Sequence, residues 1–239
     1  MRYVFITGAN RGLGFGFVQH YAAQGDHIFA TCRTPDVTDA LHQLSREHPE
    51  KVDILQMDVT DNNEIAAAHA VVSAKTERLD LLINNAGVNP EKYNLASMTL
   101  STMAVDDALT TFRTNALAPT LITRVFMDLL RKSDEPRVIN LSSGAASLAE
   151  RTRTRGGTFH YAASKAALNM YTRALAGSDE LRGIAVVAFD PGWVQTDMGG
   201  NEAAISVEES IASLTAQFDK LTPEDTGRFL NRDGSTHAW

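Results

Sequence analysis

Short apolar runs alternate with longer amphipathic stretches along the whole chain. The runs are continuous, which is typical of strands buried on both faces, and the stretches repeat their apolar residues with helical spacing. The predicted strands are residues 3–7, 27–31, 52–57, 80–84, 137–141 and 184–189, and the predicted helices are residues 12–24, 36–47, 61–76, 103–131, 160–176 and 207–219. This order predicts an α/β fold, a doubly wound parallel sheet with helices on both faces.

No break in composition, low-complexity linker or internal repeat divides the 239 residues. Folds of the α/β type commonly reach this length as one domain. Hydrophobic residues make up 44% of the chain, which is enough for a substantial core. We therefore predict one domain over residues 1–239, with a short substrate loop or lid around residues 193–220. Pro119 lies inside the predicted helix 103–131 and predicts a kink there, beside Asn115.

The first predicted strand runs directly into a glycine-rich turn, Gly8-Ala9-Asn10-Arg11-Gly12-Leu13-Gly14, which opens the first predicted helix. Glycines in such a turn allow positive φ and a close approach of the backbone to a ligand, and the helix N-terminus offers unpaired N–H groups to an anion. The glycine spacing is G-x-x-x-G-x-G, at the place where Rossmann-type folds bind a dinucleotide pyrophosphate. An ordinary glycine-rich turn is the alternative.

Tyr161 and Lys165 are one helical turn apart, so both side chains lie on the same face of a predicted helix. The ordinary pKa of tyrosine is about 10, and a neighbouring positive charge lowers that value toward neutrality. The pair is therefore suited to acid–base catalysis. A lone Y-x-x-x-K also arises by chance on solvated helices, so its interpretation depends on the other motifs.

Taken in order, the motifs of the chain resemble those of the short-chain dehydrogenase/reductase family over nearly the whole length. They are Thr7–Gly14, Asp58-Val59, Asn84-Asn85-Ala86-Gly87, Asn115, Ser142-Ser143, Tyr161 with Lys165, and Pro191-Gly192 with Thr196. Within the family, the segments Pro191–Gly200 and Asp233–Trp239 are similar to those of the C-factor and Sniffer-type carbonyl reductases. The resemblance implies a Rossmann-type enzyme that transfers hydride between a nicotinamide and a carbonyl or alcohol.

The resemblance also implies the roles of the site residues. Tyr161 is expected to be the general acid and base, and Lys165 to lower its pKa. Ser143 is expected to bind the substrate carbonyl oxygen, and Asn115 to hold a water that resupplies the proton. The expected cofactor contacts are Gly8, Asn10, Arg11, Gly12, Leu13, Gly14, Arg33, Asp58, Val59, Asn85, Ala86, Gly87, Tyr161, Lys165, Pro191, Gly192, Val194 and Thr196. Among these, Asp58 is expected to accept from the adenine amino group.

Alternatives to these roles stay open. Ser142 is the alternative to Ser143, although adjacent strand residues face opposite ways and only one of the two points at a substrate. The alternative for Asn115 is a hydrogen bond to a nearby backbone carbonyl, without a catalytic role. The alternative for Gly87 is an ordinary turn at the end of a strand.

The end of the second predicted strand indicates the type of cofactor. Enzymes that select NAD place an acid there for the ribose 2′-hydroxyl, whereas those that select NADP place a basic group for the 2′-phosphate. Residues 28–33 contain Arg33 and no acid, and the resemblance implies that Arg11 lies close to the same phosphate. NADP(H) is therefore preferred over NAD(H). Two solvent-exposed arginines without a ligand are the alternative.

The gap between Ser143 and Tyr161 is longer than in the family's classical members. The extra residues include a basic loop around Arg151–Arg155, which either attracts an anionic ligand or is simply solvated. The substrate pocket is expected from residues 88–103, 144–159 and 197–206, with Leu95, Met98, Trp193 and Met198 as apolar candidates that also suit a core. The sequence does not name the substrate beyond a small carbonyl or alcohol compound.

Composition restricts the partners. The chain has 22 Lys and Arg against 29 Asp and Glu, a formal net charge of −7, so nucleic acid and anionic membranes are not expected partners. Cys32 is the single cysteine of the chain, so no internal disulfide forms. No stretch approaches the roughly 20 consecutive apolar residues that a membrane-spanning helix needs. We expect a cytoplasmic protein with no metal site, and a homodimer through the helices near 103–131 and 160–176.

Three hypotheses for the function follow. The first is an NADP(H)-dependent carbonyl reductase or alcohol dehydrogenase. The second is a cofactor-binding signalling or redox-sensing protein of C-factor type with little turnover, and the third is a structural or interaction domain. The complete set of Asn115, Ser143, Tyr161 and Lys165 favours the first.

Overall fold

The computed structural model describes residues 1–35, 40–90, 100–151 and 158–239. Within these residues, seven parallel strands form one sheet in the order β3-β2-β1-β4-β5-β6-β7. The strands are β1 (Tyr3–Thr7), β2 (His27–Cys32), β3 (Val52–Gln56), β4 (Leu81–Asn84), β5 (Arg137–Leu141), β6 (Ala185–Asp190) and β7 (Phe229–Asn231). The first six agree with the predicted strands to within a residue or two at each end. The seventh was not predicted, because its three residues are too few for a pattern.

Eight α-helices connect and flank the strands in the described part of the chain. They are α1 (Gly12–Ala23), α2 (Ala40–Glu47), α3 (Asn62–Lys75), α4 (Val105–Phe112), α5 (Ala118–Val125), α6 (Met127–Leu130), α7 (Phe159–Ala176) and α8 (Val207–Phe218). Short 3-10 turns occur at Leu100–Thr102, Gly144–Ala146, Asp179–Leu181 and Pro223–Asp225. The first four residues of the predicted helix 36–47 lie outside the described residues.

The predicted helix 103–131 is divided into α4, α5 and α6. A π-helical turn, Arg113–Leu117, lies between α4 and α5, and the Ala118 N–H bonds to the Arg113 carbonyl five residues earlier. Pro119 stands in the first turn of α5 and has no N–H for the carbonyl of Asn115 four residues before it. The irregularity expected beside Asn115 is therefore a local widening of the helix rather than a simple kink.

Each face of the sheet buries an apolar layer. On one side, Phe17 of α1 and Phe218 of α8 stack with ring centroids 5.7 Å apart over the strands. On the other side, Phe126 meets Phe5 of β1 at 4.3 Å, beside the buried residues of α3 and α5. The doubly wound α/β fold predicted from the sequence is thus confirmed.

The helix α8 is part of the packed layer and not of a lid. It lies against α1 at Gly16, where a Cβ would come within 2.8 Å of Ile211 Cγ1, so the two helices approach closely because that residue is glycine. Ser206 caps α8 by accepting from the Glu209 N–H at 3.1 Å. Of the predicted lid around 193–220, this leaves residues 193–205 as the segment outside regular structure, apart from a bridge between Val194 and Ile205.

Candidate active site

A large cavity lies at the carboxyl ends of the strands. Its volume is about 810 Å³, and residues that directly follow β1, β2, β4, β5 and β6 line it: Gly8, Arg33, Asn85, Ser142 and Pro191. The neighbours of β1 in the sheet are β2 and β4, so the strand order reverses at this point. Open α/β sheets bind their ligands at such a reversal. Of the predicted site residues, all except Gly14 and Asn115 line this cavity.

The glycine-rich turn is shaped by two glycines with positive φ. Gly8 has φ of 65° and Gly12 has φ of 53°, conformations that other residues rarely adopt. Gly14 does not line the cavity and is needed for packing, because a Cβ there would overlap the Gly8 carbonyl oxygen. The turn therefore presents bare backbone to the cavity at the start of α1, which fits the phosphates of a dinucleotide.

Asparagine 85 holds the turn against the exit of β4. Its Nδ2 donates to the Thr7 carbonyl at 2.8 Å and to the Gly8 carbonyl at 3.0 Å. The Thr7 hydroxyl in turn accepts from the N–H groups of Asn85 and Ala86, both at 3.0 Å. These bonds fix the distance between the turn and the residues Asn85–Gly87 that form the next part of the cavity wall.

The cavity is also lined by the carboxylate of Asp58, on which the positive charges of Arg33 and Arg113 act. Asp58 Oδ1 accepts from the Thr60 N–H and from the Thr60 hydroxyl, both at 2.8 Å. Partial burial acts to raise the pKa of Asp58, but these bonds and the charges of Arg33 and Arg113 outweigh it, so the pKa lies below its ordinary value. Asp58 is therefore a carboxylate at neutral pH, able to accept a hydrogen bond from a base.

The two predicted phosphate-binding arginines have different surroundings. Arg33 is exposed at the end of β2 and lines the cavity. Arg11 also lines it, but its guanidinium pairs with Asp197 at 2.8 Å, and both side chains are largely exposed. An exposed ion pair of this kind contributes little energy, so it does not prevent Arg11 from turning to another anion.

Tyr161 and Lys165 both line the cavity from the first turns of α7. The Lys165 Nζ lies 5.9 Å from the centroid of the Tyr161 ring and donates to the Leu141 carbonyl at 2.7 Å. Only 4% of Lys165 is exposed, and this burial lowers its pKa from 10.5 to about 8. The side chain still carries its charge at neutral pH, because about 8 is above 7.

The two adjacent serines after β5 have different partners. The Ser142 hydroxyl is buried and donates to Asn169 Oδ1 of α7 at 2.6 Å. Ser143 lines the cavity, and its Oγ accepts from the Ala145 N–H at 3.2 Å. That bond leaves the hydroxyl hydrogen of Ser143 available to donate.

Asn115 lies behind the cavity wall, fully buried in the π-helical turn. Its side chain pairs with the main chain of Val88 in both directions, accepting from the N–H and donating to the carbonyl, each at 2.8 Å. Nδ2 also donates to Ser164 Oγ of α7 at 3.0 Å. At Gly87, a Cβ would lie 3.4 Å from Asn115 Oδ1 and 3.7 Å from Lys165 Nζ, so the missing side chain leaves space that both groups face.

Among the cavity residues without a role in the sequence analysis, three belong to one helical stretch: Thr110, Arg113 and Thr114. Their spacing of three and four residues puts them on one helix face, which is the only signal that the sequence offered. Trp193 and Met198 line the cavity, and the Trp193 Nε1 donates to the Gly199 carbonyl at 2.8 Å. The apolar candidates Leu95 and Met98, and residues 152–157 of the arginine loop, lie outside the described residues.

Two properties concern the described residues as a whole. They contain no group of three or more His, Cys, Asp or Glu side chains placed to hold a metal ion. None of their helices is both long and apolar enough to span a membrane.

The chain is similar to known proteins over its whole length. The family model for short chain dehydrogenases matches residues 2–205. The C-signal protein of Myxococcus xanthus is 38% identical over 164 residues, which cover 69% of this chain and 95% of that protein. The NADPH-bound carbonyl reductase from chicken fatty liver is 37% identical, with a TM-score of 0.90 over 100% of this chain and 99% of that chain. The carbonyl reductase Sniffer of D. melanogaster is 31% identical, with a TM-score of 0.92 over 100% of both chains.

Proposed function

Because the chain belongs to the short-chain dehydrogenase family, a family of oxidoreductases, we propose that it is an NADP(H)-dependent carbonyl reductase with Tyr161 as general acid and base. The observation that supports this most is the position of the Lys165 ammonium, 5.9 Å from the Tyr161 ring centroid in a cavity that the glycine-rich turn also lines. The similar proteins named as carbonyl reductases, one of them NADPH-bound, support the same reaction and cofactor.

The residues of the cavity fit a nicotinamide dinucleotide. Backbone of the Gly8–Gly12 turn and the N-terminus of α1 are suited to the pyrophosphate, and Asp58 to the adenine amino group. Pro191, Gly192, Val194 and Thr196 also line the cavity and are suited to the nicotinamide and the pyrophosphate, and Thr196 lies beside Gly12 of the turn. When bound, the cofactor supplies or accepts the hydride, while the protein orients it and handles the proton.

The proton chemistry is assigned to Tyr161. In the reductive direction its hydroxyl donates to the oxygen of the substrate carbonyl as that oxygen becomes an alkoxide. The Lys165 charge nearby favours the phenolate that this donation leaves behind. Ser143 donates its hydroxyl hydrogen to the same oxygen and stabilises the developing charge. Ser142 does not take this role, because its hydroxyl donates to Asn169.

Resupply of the proton is assigned to the space at Gly87. A water held there would meet Asn115 Oδ1 on one side and Lys165 Nζ on the other, which is the arrangement that a relay from solvent to Tyr161 needs. Asn115 is kept in place for this by its bonds to Val88 and Ser164.

A preference for NADP(H) over NAD(H) rests on Arg33 and Arg11. Both line the cavity, and the end of β2 with the residue after it, residues 28–33, contains Arg33 and no acid that would hold a 2′-hydroxyl instead. The variant Arg33→Asp is therefore expected to weaken NADPH binding selectively. Equal losses of NADPH and NADH affinity in titrations would refute the assignment.

The variant Tyr161→Phe tests the catalytic proposal. It removes one hydroxyl from a ring that still packs beside Lys165, so turnover of a panel of aldehydes and ketones with NADPH should fall at least about 10²-fold. The dissociation constant of NADPH, measured by fluorescence titration, should stay within about twofold of wild type. Full activity in this variant would show that another group carries the proton.

A signalling function is the second candidate, because the C-signal protein matches most of the chain. This candidate predicts that the wild-type protein binds NADPH and turns over nothing in a broad carbonyl panel. The proposed reductase predicts NADPH oxidation with at least one aldehyde or ketone of that panel. The same screen therefore separates the two functions.

A homodimer is proposed as the assembly. The adjacent helices α4 and α7 expose large apolar side chains, with Val105 70%, Leu109 63% and Met170 70% exposed. A two-fold interface uses the same patch on both subunits, and such a shared apolar patch is suited to it. Light scattering after size-exclusion chromatography should give twice the 26.0 kDa of one chain. A monomeric mass at micromolar concentration would contradict the proposal.

A further inference from the structure

One helix face that no motif singles out lines the end of the cavity near Asp58. Thr110, Arg113 and Thr114 follow each other at helical spacing and point to the same side as they pass from α4 into the π-helical turn. On the opposite wall are Asp58, Val59 and Thr60, which follow β3. The cavity is bounded here by a helix on one side and by the turn after β3 on the other.

Arg113 connects the helix to the turn after β3. Its Nη2 donates to the Thr60 carbonyl at 2.7 Å, although the side chain is exposed and starts on a different element. Its charge also acts on the Asp58 carboxylate, together with that of Arg33. The guanidinium is therefore bonded to the turn that carries Asp58, the predicted adenine acceptor, although the side chain is exposed.

We propose that Arg113 is a cofactor-binding residue of this protein, which closes the adenine side of the site by bridging from the helix to the Thr60 carbonyl. The inference rests on the proposed function, since it assigns Arg113 to the bound dinucleotide. A guanidinium is planar and stacks on aromatic rings, so it suits the face of a purine base. The two threonines complete the wall on either side of it.

The position of Arg113 assigns it to the base rather than to the 2′-phosphate. Arg33 follows β2, which is where enzymes of this fold recognise the 2′ group. Arg113 is tied instead to the turn after β3, two residues from Asp58. The two arginines therefore serve separate parts of the adenosine end, and their contributions should be independent.

Independence can be measured by a double-mutant cycle. The single variants Arg113→Met and Arg33→Met and the variant with both changes are titrated with NADPH, and the dissociation constants are compared. Arg124→Met is the control, because Arg124 is an exposed arginine on α5 that does not line the cavity. Thermal unfolding of each variant is recorded to establish that all are folded.

The expected result is a loss of NADPH affinity of about 5- to 30-fold for Arg113→Met, in the presence and in the absence of Arg33. The control should bind as wild type does. A loss below twofold would overturn the inference, and so would a loss seen only when Arg33 is present, because that would assign Arg113 to the phosphate. Wild-type protein that binds no NADPH would instead overturn the proposed function.

Discussion

Replacing Lys165 by methionine tests how the site holds its charge. The side chain is 4% exposed, and burial lowers its pKa from 10.5 to about 8. Methionine has a similar length and no charge, so Lys165→Met removes the buried ammonium and leaves most of the volume filled. We expect a variant that has lost turnover and is nevertheless as stable as wild type, or more stable, at neutral pH.

The magnitude follows from proton linkage. Below pH 8 the lysine is charged in the folded and in the unfolded chain, so the fold bears the full cost of burying it, about 3 kcal/mol at about 1.4 kcal/mol for each pH unit. Between pH 8 and 10.5 the unfolded chain binds more protons, so wild-type stability rises with pH relative to the variant. By pH 10 the cost is below about 1 kcal/mol. The variant also loses the hydrogen bond from Lys165 to the Leu141 carbonyl, which offsets about 1.5–3 kcal/mol of its gain in stability at neutral pH.

The assay is urea unfolding of both proteins at pH 7 and pH 10. The quantity of interest is the change with pH in the difference between their free energies of unfolding, because terms that do not depend on the charge cancel. We expect this difference to shift by about 2 kcal/mol in favour of wild type at the higher pH. Lys132→Met is the control, since Lys132 is exposed, and it should show no such shift. A difference that is the same at both pH values would refute the burial of a charged lysine.

Two further changes test the neighbours of this charge. Gly87→Ala places a methyl group at ordinary contact distances, 3.4 Å from Asn115 Oδ1 and 3.7 Å from Lys165 Nζ. The melting temperature should therefore change by less than about 4 °C, while kcat falls because the methyl group excludes the bridging water. An unchanged kcat would show that no proton relay passes through this space. Ser143→Ala should lower kcat about 10²-fold or more with little effect on NADPH affinity. Ser142→Ala should instead lower the free energy of unfolding by about 1–3 kcal/mol, because it leaves the buried Asn169 amide oxygen without its donor. Equal kinetic effects of the two serine variants would contradict their different roles.

The sheet was predictable because its signal is local. The inner strands β1, β2, β4, β5 and β6 are mostly apolar, because they are buried on both faces. The edge strand β3 keeps Val52, Ile54 and Leu55 beside the polar Asp53 and Gln56. The three residues of β7 carry no such signal. Their position depends on β6, because β7 pairs with Ala188–Asp190 of that strand. The division of the helix 103–131 was indicated by Pro119, but the form of the irregularity is decided by which bonds the surrounding chain offers.

Much of the site was predictable because many of its residues follow strands. Residues after parallel strands meet at one edge of the sheet, so Gly8, Arg33, Asn85 and Ser143 were expected to lie together, and they line one cavity. On the helices, the one-turn spacing of Tyr161 and Lys165 was such a marker. Arg113 belongs to no motif, because its contact with the cavity depends on which helix face meets it. The partnership of Arg113 with Thr60 joins positions 53 residues apart and leaves no trace in the pattern of either segment.

Two residues of the π-helical turn, Arg113 and Asn115, have side chains that bond to different neighbours. Residues two positions apart on a helix do not face each other. Asn115 therefore faces inward to Val88 and to Ser164 of α7, while Arg113 faces outward to Thr60 after β3. One turn of helix thus links the loop after β4, the helix that carries Tyr161 and the turn after β3 that carries Asp58. A change that restores regular helix there should disturb proton transfer and NADPH affinity together, even without touching either ligand-facing side chain.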